Sequence, residues 1–273
     1  MMAGVSDYEL AREYETVNHY RRGGAAKLEL NRPKSLNAWN DQLSADLLAA
    51  LNDVAADPAV RAVLLTGAGR GFSSGADLDP GMADGSARPE LGSRLTERYH
   101  PIILTVRQMP KPVVSAVHGA AAGIGLSLAL ACDLVVAAES GYFLLAFVNI
   151  GLVPDGGSSV FVPARIGFTR AAEMAMLGER IGARQALDWG LINRVWPDEE
   201  FAARADELVE RLAEGPTRSY VGIKRQLNNW VYKEIENQLE FEAGIQQELG
   251  KSDDFAAGVA AFLQKQRPQF SGN

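Results

Sequence analysis

The chain has 273 residues, of which 47% are hydrophobic and 22% charged, and these values are typical of a folded globular protein of one or two domains. They exclude a disordered, collagen-like or coiled-coil chain. The formal net charge of -7 at pH 7 has the wrong sign for binding nucleic acid by neutralising phosphates, so we expect no nucleic-acid partner.

Strands and helices alternate in the first two thirds of the predicted fold. Apolar runs bounded by glycine or proline predict buried strands, and three-to-four spacing of apolar residues predicts helices between them. Asn40 or Asp41 can cap the first of these helices, which ends near Asp57. The predicted strands are residues 25–30, 60–66, 112–117 and 133–138, and residues 91–108 form a further helix.

From residue 164 onward the pattern is almost wholly helical, and no Pro/Ser-rich linker separates this part from the rest. We therefore predict an α/β core over residues 1–200 and a helical C-terminal extension over residues 201–273. The predicted helices in this part are residues 170–177, 183–189, 199–212, 217–230, 232–249 and 253–266.

One apolar stretch, residues 113–138, is long enough to suggest a membrane span. Its serines and glycines favour a buried strand, a glycine turn and a buried helix instead, so we expect no membrane partner. Cys132, the one cysteine, lies in this apolar run and predicts a buried, inert thiol. The first 20 residues show no secretory signal, and we expect a cytoplasmic protein.

Two glycine-rich loops directly follow predicted strands, at residues 67–75 and 119–125. Such loops free backbone N–H groups for a ligand. Neither spacing matches the G-x-G-x-x-G fingerprint of dinucleotide binding, and no Walker A sequence occurs. Tight turns with close helix packing are the structural alternative.

Residues 71–75, Gly-Phe-Ser-Ser-Gly, match the G-x-S-x-G string of serine hydrolases. However, Ser73 is not followed by a helical pattern, and only His100 and His118 lie downstream to act as a base. We interpret His118 as a satisfied residue at a strand end. With three histidines and no H-E-x-x-H pair, we expect no metal site.

A third segment, residues 151–157, places Asp155 between a proline and two glycines, just before an apolar run. Taken alone, an aspartate that caps a helix is the ordinary interpretation. Together with the two glycine loops, the segment resembles the enoyl-CoA hydratase/isomerase (crotonase) superfamily, and most of all its 1,2-epoxyphenylacetyl-CoA isomerase branch. The matching motifs lie at residues 30–38, 63–67, 71–78, 111–114, 118–125, 131–134, 151–157, 177–178 and 186–191.

The resemblance covers about residues 16–270. It implies a crotonase-like spiral of ββα units and C-terminal helices that assemble a homotrimer or a dimer of trimers. It also implies an acyl-CoA thioester as the substrate, with no cofactor other than the coenzyme A of that substrate.

The resemblance further implies an oxyanion hole, in which the backbone N–H groups of Ala76 and Ile124 hold the thioester oxygen as it gains enolate character. Ile124 would stand at a helix start, where the helix dipole adds to the stabilisation. Asp155 matches the catalytic aspartate of dienoyl-CoA isomerases. Burial beside Phe147 would raise its pKa toward a value useful for proton transfer.

Hydratases of the superfamily use two glutamates to add water, and Ser127 and Phe147 occupy their places here. Because neither side chain can deprotonate water as a carboxylate does, we predict weak or absent hydration of 2-enoyl-CoA. The leading hypothesis is therefore an acyl-CoA isomerase. The alternatives are an enoyl-CoA hydratase and a non-catalytic acyl-CoA binding protein in which Asp155 only caps a helix.

The same resemblance assigns residues to substrate binding. Lys34, Lys265 and Arg267 are the candidate cations that would compensate the charge of the CoA phosphates. Phe143, Met82 and residues 79–89 would shape the acyl pocket. Core packing explains Phe143 and Phe147 equally well. The predicted substrate-binding residues are Lys34, Leu36, Ser74, Asp77, Leu78, Gly123, Phe147 and Lys265.

Overall fold

The structure is a computed structural model that describes residues 8–83 and 90–273. Its strands are β1 (Glu9–Glu13), β2 (Val17–Arg22), β3 (Ala25–Leu30), β4 (Ala62–Gly67), β5 (Val113–Val117), β6 (Ala120–Ala122), β7 (Leu134–Ala138), β8 (Tyr142–Leu144), β9 (Ile181–Gly182) and β10 (Arg194–Trp196). Its α-helices are α1 (Asp41–Ala56), α2 (Leu91–Arg94), α3 (His100–Gln108), α4 (Ile124–Ala131), α5 (Ser158–Leu177), α6 (Ala183–Trp189), α7 (Asp198–Glu214), α8 (Thr217–Val231), α9 (Ile235–Leu249) and α10 (Asp253–Leu263).

Seven of the strands form one sheet in the order β1-β2-β3-β4-β5-β7-β10, and β6, β8 and β9 form a second. In the seven-stranded sheet, β1, β2 and β3 are antiparallel neighbours, and the remaining pairings, from β3 through β4, β5 and β7 to β10, are parallel. This is the α/β class that the sequence predicts. Because β4 and β5 are parallel neighbours, the two glycine-rich loops that follow them leave the sheet at the same edge.

The most apolar stretch of the sequence folds into β5, β6, α4 and β7. Every residue of α4 is buried, because the helix is apolar on all sides and is enclosed by the protein core. Cys132 is also fully buried, and burial raises the pKa of its thiol to about 12, which confirms the inert thiol. In the part of the chain that the structure describes, no helix is long and apolar enough to cross a membrane.

The predicted strands and most predicted helices are present, but their bounds differ at several points. The predicted helix over residues 91–108 is interrupted by a π-helical segment, Leu95–Tyr99, between α2 and α3. Helix α5 begins at Ser158 rather than Arg170, with a kink at Gly167, where φ is 75°. The short strands β6, β8, β9 and β10 have two or three residues each, too few for an alternating pattern to be recognised.

The C-terminal helices pack against the rest of the chain. Helix α7 covers one face of the seven-stranded sheet through Phe201 and Leu208. Helix α9 contributes Ile235, Leu239 and Ala243 to the largest hydrophobic cluster, and it packs against α2 and α5. The predicted boundary at residue 200 therefore does not separate two hydrophobic cores.

Candidate active site

The first glycine-rich loop is held by two parallel bridges, one to Ala121 beside the second loop and one to Trp39. The main-chain N–H of Trp39 donates to the carbonyl of Gly75 at 2.8 Å, and the carbonyl of Trp39 accepts the N–H of Asp77 at 2.9 Å. In such a parallel bridge, the bonds to Gly75 and Asp77 leave the main-chain N–H and carbonyl of the residue between them, Ala76, pointing away from Trp39. Among the described residues, the N–H of Ala76 has no hydrogen-bond acceptor.

The second free donor stands at the start of α4. Gly123 has φ of 52° and ψ of -130°, a conformation that favours glycine, and Ile124 follows it as the first residue of the helix. The first N–H groups of a helix have no acceptor within the helix, so the Ile124 N–H is available to a ligand. A Cβ on Gly123 would lie 3.7 Å from the Cα of Gly75, so the two loops are in close contact.

Both N–H groups belong to residues that line one cavity of about 190 Å³. Most of its wall is apolar, and this wall forms a site suited to an acyl chain. Several separate elements contribute to it, including the first glycine loop, the π-helical segment, the turn before α5, and α10. The apolar wall includes Leu78, Met82, Leu95, Phe147, Leu152 and Phe255.

Asp155 contributes a carboxylate to this cavity, and its side chain is almost completely buried. Its Oδ2 accepts a hydrogen bond of 2.8 Å from Nε2 of Gln246 on α9. Its Oδ1 has no partner among the described residues. The next residue, Gly156, lies against the start of α4, where a Cβ would come within 2.4 Å of Cδ1 of Ile124. A free carboxylate oxygen and a free N–H thus lie on neighbouring segments.

The interpretation of Asp155 as a helix cap is wrong. Gly157, not Asp155, is the residue that precedes α5, and it has no side chain that could cap the helix. The main-chain carbonyl of Asp155 does accept hydrogen bonds from the N–H and the hydroxyl of Ser158, at 3.1 and 2.8 Å. The carboxylate itself faces Gln246 and the cavity because the left-handed turn at the two following glycines points it away from the helix end.

Burial and the nearby carboxylate of Glu242 raise the pKa of Asp155 to about 8, although the hydrogen bond from Gln246 opposes the shift. Burial likewise raises the pKa of Glu242 to about 7. A carboxylate with such a pKa can accept and return a proton near neutral pH. Burial is the main reason that both pKa values are raised, since both carboxyl groups are buried where α9 meets the turn before α5.

The two positions where related hydratases carry glutamate have other uses here. Ser127 is fully buried, and its hydroxyl donates a hydrogen bond of 2.7 Å to the carbonyl of Asp155. Phe147 lines the cavity as an apolar wall. Among the described residues, Asp155 is the only carboxylate that lines this cavity.

Comparison with known proteins identifies the family. Residues 21–273 match the family model described as enoyl-CoA hydratase/isomerase. The chain belongs to this family. It is 42% identical to the 1,2-epoxyphenylacetyl-CoA isomerase of Escherichia coli over 94% of this chain and 98% of that protein. A probable enoyl-CoA hydratase of Rhodobacter capsulatus is 40% identical over 95% of this chain and 99% of its own length.

Solved structures of family members have the same fold. The crystal structure of an enoyl-CoA hydratase from Mycobacterium avium subsp. paratuberculosis superposes with a TM-score of 0.86 and 38% sequence identity. The match covers 95% of this chain and all of that one. The crotonase fold and the resemblance to the epoxyphenylacetyl-CoA isomerase branch are thus confirmed, and the family contains both isomerases and hydratases.

Some of the substrate-binding residues predicted from the family pattern line the cavity, namely Ser74, Leu78, Gly123 and Phe147, together with Met82. Phe143 is fully buried in the hydrophobic core, in agreement with the alternative prediction that it serves core packing. Residues 84–89 of the predicted pocket loop lie outside the described residues.

Five further predicted positions lie outside the cavity lining: Lys34, Leu36, Asp77, Lys265 and Arg267. Leu36 supports the first glycine loop, since its carbonyl accepts the N–H of Ser74 at 2.9 Å. Asp77 forms an ion pair of 3.0 Å with Arg32. Lys34, Lys265 and Arg267 are exposed. Their contact with the CoA phosphates of a family substrate stays a prediction.

The sequence analysis missed Arg94, Tyr99, Gln246 and Phe262, all of which line the cavity. Tyr99 is buried and packs edge-on against the Trp39 ring at a centroid distance of 5.1 Å, and burial raises its pKa to about 12. These residues lie within helical patterns, where nothing distinguishes a site residue from a core or surface residue.

The hydrolase alternative is inconsistent with the geometry. Ser73 is fully buried, and its hydroxyl donates a hydrogen bond of 2.9 Å to the carbonyl of Asn37. His118 lies with Nε2 3.1 Å from the carbonyl of Gly69, which confirms the satisfied strand-end residue. Over residues 8–83 and 90–273, no three His, Cys, Asp or Glu side chains converge to hold a metal ion.

The raised pKa values of the site predict how stability depends on pH. Asp155 and Glu242 keep their protons in the folded protein at pH values where the unfolded chain, with ordinary values near 4, has lost them. The free energy of unfolding should therefore fall as pH rises from about 4 to about 8. Asp155→Asn should recover on the order of 5 kcal/mol at pH 8 and little at pH 4.

Urea unfolding at both pH values measures this effect. The matched control is Asp188→Asn, because Asp188 is exposed on α6. Equal changes in both variants at pH 8 would contradict the assignment of a raised pKa to Asp155.

Proposed function

We propose that the protein is an acyl-CoA isomerase that moves a carbon–carbon double bond, or carries out a related rearrangement, by proton transfer on an enolate. One observation carries the proposal. Among the described residues, a single buried carboxylate, Asp155, lines an apolar cavity and has one oxygen without a hydrogen-bond partner, and two residues with free N–H groups, Ala76 and Ile124, line the same cavity. One base and one oxyanion hole are the two parts that such a reaction needs.

The thioester carbonyl of the substrate would accept hydrogen bonds from the N–H groups of Ala76 and Ile124. Oδ1 of Asp155 would then remove a proton from the carbon next to the carbonyl, and the electron pair of that C–H bond would move onto the thioester oxygen as an enolate. The two N–H groups stabilise this negative charge because they are fixed in place before the reaction. Asp155 would return the proton farther along the chain, so that the double bond moves and no atom is gained or lost.

Two features support proton return by the same group. The pKa of about 8 keeps Asp155 able both to accept and to donate a proton near neutral pH. Asp155 is also the only carboxylate among the described residues of the cavity lining, so the same group would both take and return the proton. The acyl pocket would hold the chain with its reacting carbons beside Oδ1.

Assembly into a homotrimer or a dimer of trimers is part of the same proposal. Several large apolar side chains are far more exposed than a monomer would favour, among them Trp230 at 86%, Phe168 at 82% and Met176 at 74%. Contacts between subunits would bury them. We further propose that the enzyme needs no cofactor beyond the coenzyme A of its substrate, whose phosphates would lie near Lys34, Lys265 and Arg267.

Hydration of a 2-enoyl-CoA is the second candidate, because the relative from Rhodobacter capsulatus carries that name. The single carboxylate among the described cavity residues argues against it, since adding water to an enoyl group requires a group that positions the water as well as one that accepts its proton. Asp155 alone would have to do both.

The test is proton NMR of the purified protein in D₂O with a 3-enoyl-CoA and, separately, a 2-enoyl-CoA. An isomerase introduces deuterium into the acyl chain and shifts the double bond. Formation of 3-hydroxyacyl-CoA at a comparable rate would instead establish a hydratase. Binding of acyl-CoA without any exchange would establish a binding protein and contradict the proposal.

A further inference from the structure

Gln246 on α9 is the one side chain that holds the Asp155 carboxylate among the described residues. It is 1% exposed, and its Nε2 donates one hydrogen bond to the carbonyl of Val153 at 2.9 Å and the other to Oδ2 of Asp155 at 2.8 Å. Both N–H bonds are therefore used. The amide is fixed against the main chain on one side and orients the carboxylate on the other.

Glu242 lies one helical turn before Gln246 on the same face of α9 and is 2% exposed. Its carboxylate accepts the N–H of Gly157 at 2.8 Å and the N–H of Ser159 at 3.2 Å, and it also accepts the Ser159 hydroxyl. These groups belong to the first turn of α5, directly after Asp155. A buried carboxylate thus occupies the position at the helix start that a capping side chain would otherwise take.

The two contacts leave Asp155 with a single orientation. Oδ2 is engaged by Gln246, so Oδ1 is the one oxygen that remains for the substrate. The main chain on both sides of the carboxylate is also held from α9, at Val153 and at Gly157. We propose that Gln246 and Glu242 are positioning residues for the reaction, with Gln246 orienting the Asp155 carboxylate and Glu242 fixing its segment and opposing its negative charge.

This inference rests on the proposed function, in which Asp155 is the base. The two residues have opposite electrostatic effects on it: the hydrogen bond from Gln246 favours the ionised carboxylate, and the charge of Glu242 disfavours it. Of the other titratable groups on the surrounding elements, Tyr99 of the π-helical segment and Arg94 of α2 line the same cavity as Asp155. Ser127 of α4 contacts only the Asp155 carbonyl and carries no charge.

Because Gln246 and Glu242 have opposite effects on the ionisation of Asp155, their variants should shift the pH profile in opposite directions, which loss of a purely structural contact would not do. The rate at saturating and at low substrate is measured from pH 5 to 10 in Glu242→Gln and Gln246→Leu, with kcat and kcat/KM obtained separately. The kcat/KM of the wild type should rise with pH as Asp155 ionises. Glu242→Gln should move this rise to lower pH by about one unit, and Gln246→Leu should move it to higher pH by about one unit.

The two variants should also differ in the rate reached at high pH. Gln246→Leu should lower kcat about tenfold with little change in KM, because the carboxylate loses its orientation. Glu242→Gln should lower kcat less than Gln246→Leu does, because the glutamine oxygen can still accept one of the hydrogen bonds from the start of α5. Gln246→Glu conserves the size of the side chain and serves if the leucine variant does not fold; it should also move the rise to higher pH.

Glu248→Gln is the matched control, because it removes the same charge from the exposed side of α9. It should leave the pH profile unchanged. Shifts in the same direction in Glu242→Gln and Gln246→Leu, or no shift in either, would overturn the inference.

A second readout separates this failure from failure of the proposed function. The carboxyl signal of Asp155, identified by its absence in Asp155→Asn, is titrated by ¹³C NMR without substrate. Opposite shifts of this titration in the two variants, together with an unaltered activity profile, would mean that α9 controls the carboxylate but that Asp155 is not the base. Unaltered titrations in both variants would overturn the inference directly.

Discussion

Asp155→Asn should lower the rate of double-bond migration by about 10²–10⁴-fold, the usual contribution of a general base. Asparagine has almost the same size and can still pair with Gln246 through its carbonyl oxygen, so the cavity keeps its shape. What is lost is the ability to hold a proton between its removal and its return. The measurement is the kcat for conversion of a 3-enoyl-CoA, with deuterium uptake from D₂O followed in parallel.

Substrate binding should change little in this variant, because the cavity wall and the N–H groups of Ala76 and Ile124 remain. Calorimetric titration with a non-reacting acyl-CoA checks this point. Asp188→Asn, an exposed aspartate on α6, is the control and should retain full activity. Turnover within a few fold of the wild type, with fold and binding intact, would show that the proton is moved by another group.

Gly123→Ala should lower turnover by about 10²–10³-fold, the cost of misplacing one oxyanion donor. The φ of 52° and ψ of -130° at this residue are unfavourable for any side chain, so alanine would drive the backbone toward another conformation. The N–H of Ile124 would turn with it and leave the position of the thioester oxygen. A Cβ at this position would also point toward the Phe147 ring, at 3.9 Å from Cζ.

Gly23→Ala separates this effect from simple backbone strain. Gly23 has φ of 54° in the turn between β2 and β3, and a Cβ there would meet no atom within 4 Å. Gly23→Ala should lose roughly 1 kcal/mol of unfolding free energy because of its positive φ, and Gly123→Ala roughly 1–3 kcal/mol, because its φ and ψ lie in a region that favours glycine. Only Gly123→Ala should lose turnover. If both variants retain turnover although their unfolding temperatures fall, the N–H of Ile124 is not an oxyanion donor.

The glycine loops and Asp155 could be predicted from the sequence because each lies in a short, continuous motif. The strands before the loops are mostly apolar, and glycines at positive φ follow them at residues 75 and 123, where two backbones approach closely. Parallel pairing of β4 and β5 then brings the loops together, as parallel strands must. The fold class and the positions of the glycine loops thus follow from local signals, whereas the donor residues are implied by the family resemblance.

The contacts around Asp155 could not be predicted in this way. Gln246 and Glu242 lie in a helix whose other polar residues are mostly exposed, and no local pattern marks these two as buried. Their role depends on α9 packing against α5, which no short segment of the sequence encodes. The same limit explains why a helix cap was an ordinary interpretation of Asp155: only the tertiary contacts show that its carboxylate turns away from α5.

The hydrogen bond between Gln246 and Asp155 joins residues 91 positions apart in the chain, and that between Glu242 and Gly157 joins residues 85 apart. The parallel core strands can pair before α9 exists, but the base cannot be oriented until α9 has docked. During synthesis on the ribosome, α9 must therefore emerge before the reactive centre can form. Contacts between residues so far apart in sequence form late in folding. A folding intermediate in which α9 has not yet docked would therefore have most of the fold but no oriented base.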